Sequence, residues 1–305
     1  MLPPLLDFST EADYNTVCNF IDILVSRYDF LSCSVIGETL LHKKIQVLTL
    51  GNEKSERSVL YVGGHHGAEW ITALILLRMV NELCEYVRTS KQPFGINLQA
   101  LLNTRCLRII PLLNCDGTDI QINGVSEDCV LYDRLMRMSG GDFSKWQSNA
   151  RGVDLNHNYD CGFLEYKSLE AANGIFAGST RYAGEYPFSE PETMALSNYI
   201  RYHSSIEMIL TLHASGEEIY CSSGDIVPER SRVIGEKFAK LSGYKLAKPE
   251  GLAAYGGLTD WFIREFNKPS FTIECGKGET PLPCGKYFEI YAGIREMLMC
   301  APLMI

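Results

Sequence analysis

Metal-binding residue types cluster directly after the short apolar run Val59–Val62, in the string GGHHGAE. Imidazole and carboxylate groups bind zinc, and a catalytic zinc keeps three protein ligands and one open position. His66 and Glu69 are three residues apart and His65 and Glu69 are four apart, so either histidine can share an ion with Glu69. His213, far downstream, is the third ligand that we expect. The residue types therefore predict a zinc site, and spacing leaves the choice between the two adjacent histidines open.

A further reactive group, Glu274, follows the apolar run Ser270–Ile273. A carboxylate at the end of a buried strand is costly unless it is paired or functional. Next to a water molecule activated by zinc, it would accept the water proton and pass it to a leaving amine. Glu274 is therefore the candidate general base, and a structural ion pair is the alternative.

The elements that must position these groups are four continuous apolar runs, a pattern typical of strands buried on both faces. They are Val59–Val62, Leu107–Leu113, Met208–Leu212 and Ser270–Ile273. Between the first two runs, Ile71–Val87 has helical spacing. Strand, helix and strand in this order predict an α/β sheet with helices on both faces. Because ligands bind at the carboxyl ends of such strands, we expect the metal-binding groups to meet in one crevice.

Outside this region, Tyr14–Ser26 has helical spacing, and a strand pair is expected near Cys33–Ile36 and Lys44–Leu50. The chain has no internal repeat and no linker rich in proline or glycine, which favours one domain over residues 1–305, with the motifs between about 14 and 300. Eleven cysteines without a CxxC pair favour free buried thiols in a reducing compartment.

Charge and hydropathy exclude several classes of partner. The net charge is -9 and no basic run is present, so we expect no nucleic acid partner. The sequence has no secretory signal pattern, and no apolar stretch approaches the roughly 18 residues of a membrane span. We therefore expect a cytoplasmic protein without a membrane partner, and the sequence leaves its oligomeric state open.

Five motifs in order resemble the zinc carboxypeptidase family, from about Tyr14 to the C-terminus: GGHHGAEWIT, PLLNCDG, RGVDLNHNYD, LTLHASG and GGLTDWF with FTIEC. The resemblance implies a metallopeptidase with one Zn²⁺ per chain, held by His66, Glu69 and His213, and with Glu274 as general base. It selects His66 rather than His65. It also implies a single α/β domain with a mixed, mostly parallel, twisted sheet of about eight strands.

Two departures from the family bear on the substrate. The pair that grips a substrate carboxylate is usually Asn-Arg and reads Asn156-His157 here, and histidine cannot form the bidentate fork of arginine. Gln147 stands in the place of the arginine that polarises the scissile carbonyl, and nearby Arg151 would compensate for it. We expect Asn156 and His157, with Arg181, to hold a carboxylate on the leaving side.

These departures, together with Ser179–Thr193 (STRYAGEYPFSEPET), resemble the bacterial γ-D-glutamyl-meso-diaminopimelate peptidases. The implied substrate is a peptide or muropeptide from peptidoglycan, cleaved between γ-D-glutamate and diaminopimelate. The first alternative is a general metallocarboxypeptidase that removes C-terminal residues. The second is a muropeptide-binding sensor without turnover, against which the complete set of ligands and base argues.

The remaining substrate-site expectations concern the wall of the crevice. The pancreatic-type enzymes carry a mobile tyrosine eight residues before the aspartate of the GGxxDW stretch, where this chain has Leu252, so Tyr255 is the candidate for that role. Thr259 occupies the specificity position and is small and neutral. Glu217 and Glu218 either receive a substrate ammonium group or lie in a solvated loop.

Overall fold

The computed structural model describes residues 6–305, which form one eight-stranded sheet in the order β1-β2-β4-β3-β5-β8-β6-β7. The strands are β1 (Leu31–Glu38), β2 (Lys44–Gly51), β3 (Ser58–Val62), β4 (Cys106–Ile110), β5 (Ile206–His213), β6 (Glu218–Tyr220), β7 (Lys245–Ala247) and β8 (Ser270–Glu274). The central strands β4, β3, β5 and β8 are mutually parallel, whereas β1, β2 and β6 introduce antiparallel pairs. The expected mixed, mostly parallel sheet is confirmed.

Ten α-helices cover both faces of this sheet in the described part of the chain. They are α1 (Tyr14–Arg27), α2 (Ile71–Thr89), α3 (Leu98–Thr104), α4 (Cys115–Asn123), α5 (Tyr132–Ser139), α6 (Phe163–Ala172), α7 (Pro191–Tyr202), α8 (Glu229–Ser242), α9 (Leu258–Phe266) and α10 (Tyr287–Cys300). Residues of α1, α2, α8 and α10 belong to the larger core cluster, and residues of α7 and α9 belong to the second. The α/β architecture is therefore confirmed. No helix within residues 6–305 has the length and apolar character needed to cross a bilayer.

Element boundaries follow local chemistry. The run Leu107–Leu113 was expected as one strand, but β4 ends at Ile110 because Pro111 has no N–H to donate to a ladder. Helix α1 begins where the Asp13 carboxylate accepts a hydrogen bond from the Thr16 N–H at 2.8 Å, as expected of an N-cap. All eleven cysteines are free thiols, but only five of them are buried, so the expectation of buried thiols holds for fewer than half.

The buried carboxyl of Glu192 lies on α7. Its Oε2 accepts a hydrogen bond from Asn149 Nδ2 at 3.2 Å, and its Oε1 has no partner among residues 6–305. Burial raises the pKa of Glu192 to about 8, with smaller upward contributions from the charges of Asp116 and Glu190. The carboxyl is therefore protonated at neutral pH.

We expect Glu192→Gln to change the pH dependence of stability. The pKa of Glu192 in the folded state is about 8, above its ordinary 4.5, so its stabilising contribution is complete below pH 4.5 and is lost as the pH rises through 8. Urea unfolding should give E192Q and wild type similar free energies near pH 4.5, with E192Q more stable by on the order of a few kcal/mol above pH 8. Glu185→Gln, at an exposed position, is the control. An E192Q difference that does not vary with pH would contradict the assignment.

Candidate metal and active site

The first two metal-binding side chains are placed by a sharp exit from β3. Gly64 has a φ of +62°, a conformation that favours glycine. At Gly67, which opens a short 3₁₀ turn, an added Cβ would lie 2.4 Å from the Gly117 carbonyl oxygen. His66 precedes this turn and Glu69 ends it, so that His66 Nδ1 lies 2.8 Å from Glu69 Oε1. The glycines therefore allow the tight loop that brings the two side chains together.

His213 completes the cluster from the carboxyl end of β5, the strand next to β3. Its Nδ1 lies 3.1 Å from Glu69 Oε2 and 3.3 Å from His66 Nδ1. Two ligand atoms about 2.05 Å from a tetrahedral zinc are separated by roughly 3.3 Å. Two imidazole nitrogens and one carboxylate, all within 4.8 Å of one another, thus fit zinc in both chemistry and spacing.

His65 points to a different, buried environment. Its Nδ1 lies 3.2 Å from Thr211 Oγ1, and its Nε2 lies 3.2 Å from the Tyr159 hydroxyl. Thr211 Oγ1 is in turn 3.3 Å from His213 Nε2. Both nitrogens of His65 are therefore engaged within the protein, and His66 is the histidine that faces Glu69 and His213.

Asp154 positions His66 through its Nε2 nitrogen. The sequence motifs did not identify Asp154 as a site residue. Its Oδ1 lies 3.0 Å from His66 Nε2, and its Oδ2 accepts a hydrogen bond from the Arg181 N–H at 2.9 Å. Burial opposes ionisation of Asp154, but its interaction with His66 and its hydrogen bonds, including the one from the Arg181 N–H, outweigh it and hold its pKa below the usual range. An ionised carboxylate behind a metal-binding histidine fixes the orientation of the ring.

Glu274 ends β8 and pairs across the ladder with His213. Burial raises the pKa of Glu274 to about 7; the charge of His213 opposes this shift and that of Glu69 adds to it. A carboxyl group whose pKa is near neutral pH can both take up and return a proton during a reaction. The strand end therefore holds a group suited to acid–base work next to the metal-binding cluster.

These groups line a cleft with a volume of about 200 Å³. The expected site residues that border it are His66, His213, Glu274, Gln147, Asn156, His157, Arg181 and Thr259. Glu69 lies beneath the cleft, where the backbone N–H of Ala214 donates to its Oε2 at 3.1 Å. The structure thus brings most of the predicted residues to one place.

Two amide side chains on the wall have their oxygens occupied and their NH₂ groups available. Thr180 donates its hydroxyl proton to Gln147 Oε1 at 2.7 Å, and the Leu258 N–H donates to Asn156 Oδ1 at 3.3 Å. An amide group carries two N–H donors in addition to its oxygen. Gln147 and Asn156 can therefore each donate a neutral hydrogen bond to a substrate oxygen.

His157 is a buried, neutral imidazole rather than a cation. Its Nδ1 donates to the Tyr255 carbonyl oxygen at 2.9 Å, and its ring stacks on Tyr166 with centroids 3.9 Å apart. Burial lowers the pKa of His157, against the opposing charge of Asp154. With the proton on Nδ1, the free Nε2 is an acceptor, so His157 cannot replace the charge of the family's arginine.

The two candidate arginines differ in where they lie. Arg151 does not border the cleft, because its guanidinium lies 3.4 Å from the Glu190 carboxylate; the expectation that it compensates for Gln147 is therefore corrected. Arg181 borders the cleft with an exposed side chain, and among residues 6–305 its guanidinium has no ion pair within 4.0 Å. Its backbone adopts a φ of +67° and is held by Asp154 and by the Tyr166 hydroxyl, which donates to the Arg181 carbonyl at 2.7 Å.

Tyr255 borders a neighbouring cavity instead of the metal cleft. Its ring packs on Gly162, where an added Cβ would lie 2.5 Å from Tyr255 Cδ1. Thr259 is buried in the cleft wall, and its Oγ1 accepts hydrogen bonds from the hydroxyls of Ser270 and Thr272 at 3.2 and 2.9 Å. In this structure Leu252, rather than Tyr255, borders the metal cleft.

A family model described as zinc carboxypeptidase matches residues 17–292. The chain belongs to the zinc carboxypeptidase family. It is 30% identical over 289 residues to gamma-D-glutamyl-L-diamino acid endopeptidase 1 of Lysinibacillus sphaericus, covering 94% of this chain and 71% of the relative. It is 32% identical to the uncharacterized protein YqgT of Bacillus subtilis, covering 92% of this chain and 74% of that protein.

The likeness extends to solved structures. The structure of thrombin activatable fibrinolysis inhibitor superposes with a TM-score of 0.73 at 21% identity, covering 97% of this chain and 74% of that one. At this identity the superposition shows the shared fold. Together with the family model and the donor set of the cleft, membership makes this protein a zinc metallopeptidase, as the sequence predicts.

The two adjacent histidines give a direct test of the metal assignment. We expect His66→Gln to lose stoichiometric zinc, because it removes the nitrogen that faces Glu69 and His213. His65→Gln should retain zinc, since His65 contacts Thr211 and Tyr159 instead. Zinc content after dialysis, measured by mass spectrometry on folded protein, distinguishes the two variants. Retention in H66Q with loss in H65Q would reverse the assignment.

Proposed function

We propose that this metallopeptidase hydrolyses the amide between γ-D-glutamate and meso-diaminopimelate in peptidoglycan stem peptides. The observation that carries the proposal is the replacement of a fixed arginine fork by Asn156 and the neutral ring of His157. A site of this kind lacks an arginine at the position from which general carboxypeptidases grip a C-terminal carboxylate bidentately. The relative from Lysinibacillus sphaericus is named for a γ-D-glutamyl-diamino acid bond, which supports the proposed bond.

His66, Glu69 and His213 would hold the zinc ion, which supplies Lewis-acid polarisation of the scissile carbonyl and lowers the pKa of water. Glu274 accepts the proton of the attacking water and returns it to the leaving amine, a role that suits its raised pKa. The Gln147 amide donates a hydrogen bond to the oxygen on which negative charge develops. Asp154 keeps His66 oriented throughout.

Arg181 is the cation that we assign to a carboxylate on the leaving side. It is the only arginine or lysine side chain bordering the cleft among the described residues. Asp154 accepts a hydrogen bond from the Arg181 N–H, and the Tyr166 hydroxyl donates one to the Arg181 carbonyl oxygen. These two bonds fix the backbone position from which the Arg181 side chain extends. Asn156 adds a neutral donor nearby, and the Nε2 acceptor of His157 favours a group that can donate, such as an ammonium.

A defined set of peptides tests this function. We expect wild type to cleave L-Ala–γ-D-Glu–meso-diaminopimelate and to release free diaminopimelate, with little cleavage of blocked α-peptides such as hippuryl-phenylalanine. Mass spectrometry of the products identifies the bond that is broken. Glu274→Gln should lower kcat/KM by roughly 10²- to 10⁴-fold while the zinc content is unchanged.

The exposed carboxylate of Glu279 provides the matched control, and Glu279→Gln should behave like wild type. Cleavage of hippuryl-phenylalanine without cleavage of the tripeptide would instead identify a general metallocarboxypeptidase. Binding of the tripeptide by zinc-loaded wild type without any product would favour a muropeptide sensor. An active E274Q would remove Glu274 from the role of base.

A further inference from the structure

Asp260 borders the metal cleft and has no role in the chemistry described above. It lies in the first turn of α9, directly after Thr259. A second cavity, with a volume of about 410 Å³, shares Asp260, Ser222 and Pro249 with the metal cleft. Asp260 therefore lies at the junction of the two spaces, where a long side chain entering from the metal site would pass it.

Ser223 and Arg264 are the side chains that act on the carboxylate of Asp260, and Arg264 Nε donates to the Ser223 hydroxyl at 2.9 Å. No ion pair within 4.0 Å involves Asp260 in the described part of the chain. Burial raises the pKa of Asp260 to about 6, against the effects of Ser223 and Arg264, so the group is still ionised at neutral pH. A partly buried carboxylate of this kind gains from a cationic partner.

The other carboxylates near the cleft already have partners or roles. Asp154 holds His66 and the Arg181 backbone, and Glu274 lies beside the metal cluster. Glu217 lies 2.5 Å from Lys277 Nζ, and Glu218 accepts a hydrogen bond from the Tyr220 hydroxyl at 2.8 Å. These contacts account for both glutamates that the sequence offered as ammonium receptors. Asp260 is the acidic group left facing the cleft.

Among the described residues that line the metal cleft, Arg181 is the only lysine or arginine, and Lys248, which lines the second cavity, pairs with Asp225 at 3.7 Å. The nearby wall consists of neutral groups, among them the hydroxyls of Tyr220, Ser222 and Thr272. Arg181 comes from a different segment, the loop before α7. The cleft thus carries one arginine without an ion pair and one carboxylate, Asp260, that neither holds His66 nor ends β8 beside the metal cluster, an arrangement complementary to a residue that bears both charges.

We propose that Asp260 binds a positively charged amino group on the side chain of the substrate's leaving residue, and that the second cavity receives the part of that residue beyond it. The inference deepens the proposed function and rests on it, because diaminopimelate carries a second amino group at the far end of its side chain. It assigns selection for a diamino acid to α9, one residue after the neutral Thr259.

Two matched ligands test whether Asp260 binds the ammonium group of the substrate side chain. L-Ala–γ-D-Glu–L-Lys and L-Ala–γ-D-Glu–L-norleucine have side chains of similar length and differ in the terminal ammonium. Because Glu274→Gln should slow cleavage by roughly 10²- to 10⁴-fold, calorimetry on the zinc-loaded variant gives both dissociation constants. We expect the lysine peptide to bind roughly 10- to 100-fold more tightly, as for a charge-assisted hydrogen bond. Adding Asp260→Asn should reduce that preference at least tenfold.

The exposed Asp29, between α1 and β1 and outside the lining of both cavities, gives the control, and Asp29→Asn should leave the lysine preference intact. Equal weakening of both peptides by D260N would show a structural role, and an unchanged preference would show that Asp260 does not read the charge. Either result overturns the inference.

The proposed function is tested separately, by whether wild type cleaves the diaminopimelate tripeptide. If it does not, the preference is measured on E274Q with hippuryl-lysine and hippuryl-norleucine. Loss of a lysine preference in D260N would then support charge reading by Asp260 without the peptidoglycan substrate, and no preference in either protein would end both proposals.

Discussion

The geometry of the cleft depends on the two contacts that the Asp154 carboxylate makes. One oxygen lies 3.0 Å from His66 Nε2, and the other accepts the Arg181 N–H at 2.9 Å. A single buried group therefore orients a metal ligand and fixes the loop that carries the cleft's arginine. Because the carboxylate is buried and ionised, removing the His66 ring would leave its Oδ1 with the Asn156 N–H, at 3.1 Å, as the remaining donor and would destabilise the buried charge.

The sheet supplies the framework for this contact. His213 and Glu274 end two adjacent parallel strands, and the loop after β3 brings His66 and Glu69 to the same edge. Side chains at this edge of the sheet lie outside the apolar core, so polar groups there remain accessible to a ligand. Burial then raises the pKa of Glu274 to about 7, which suits a group that must exchange protons.

The sequence predicted those parts of the site that local pattern determines. Continuous apolar runs indicated the four central strands, and the residue types at their ends indicated zinc chemistry and Glu274. Spacing alone did not distinguish His65 from His66, because the choice depends on Thr211 and Tyr159, which are distant in the chain. The resemblance to the family selected His66, and in the structure His66 is the histidine that lies next to Glu69 and His213.

Two arginines and two aspartates show why sequence pattern could not predict the remaining site residues. Arg151 is closer in sequence to Gln147, yet Glu190 holds it away from the cleft, whereas the tightly held backbone of Arg181 brings it there. Asp154 and Asp260 stood in recognised motifs, but their roles depend on contacts with His66 and on a cavity formed by several segments. Long-range packing decides such roles.

Zinc K-edge X-ray absorption of the purified, zinc-loaded protein identifies the atoms that bind the metal, and the eleven free cysteines make sulfur the competing donor. We expect about one zinc per chain, bound by two imidazole nitrogens and by oxygen at about 2.0–2.2 Å. The same protein should show no sulfur shell. A sulfur shell at about 2.3 Å, or no stoichiometric zinc after loading, would contradict the account.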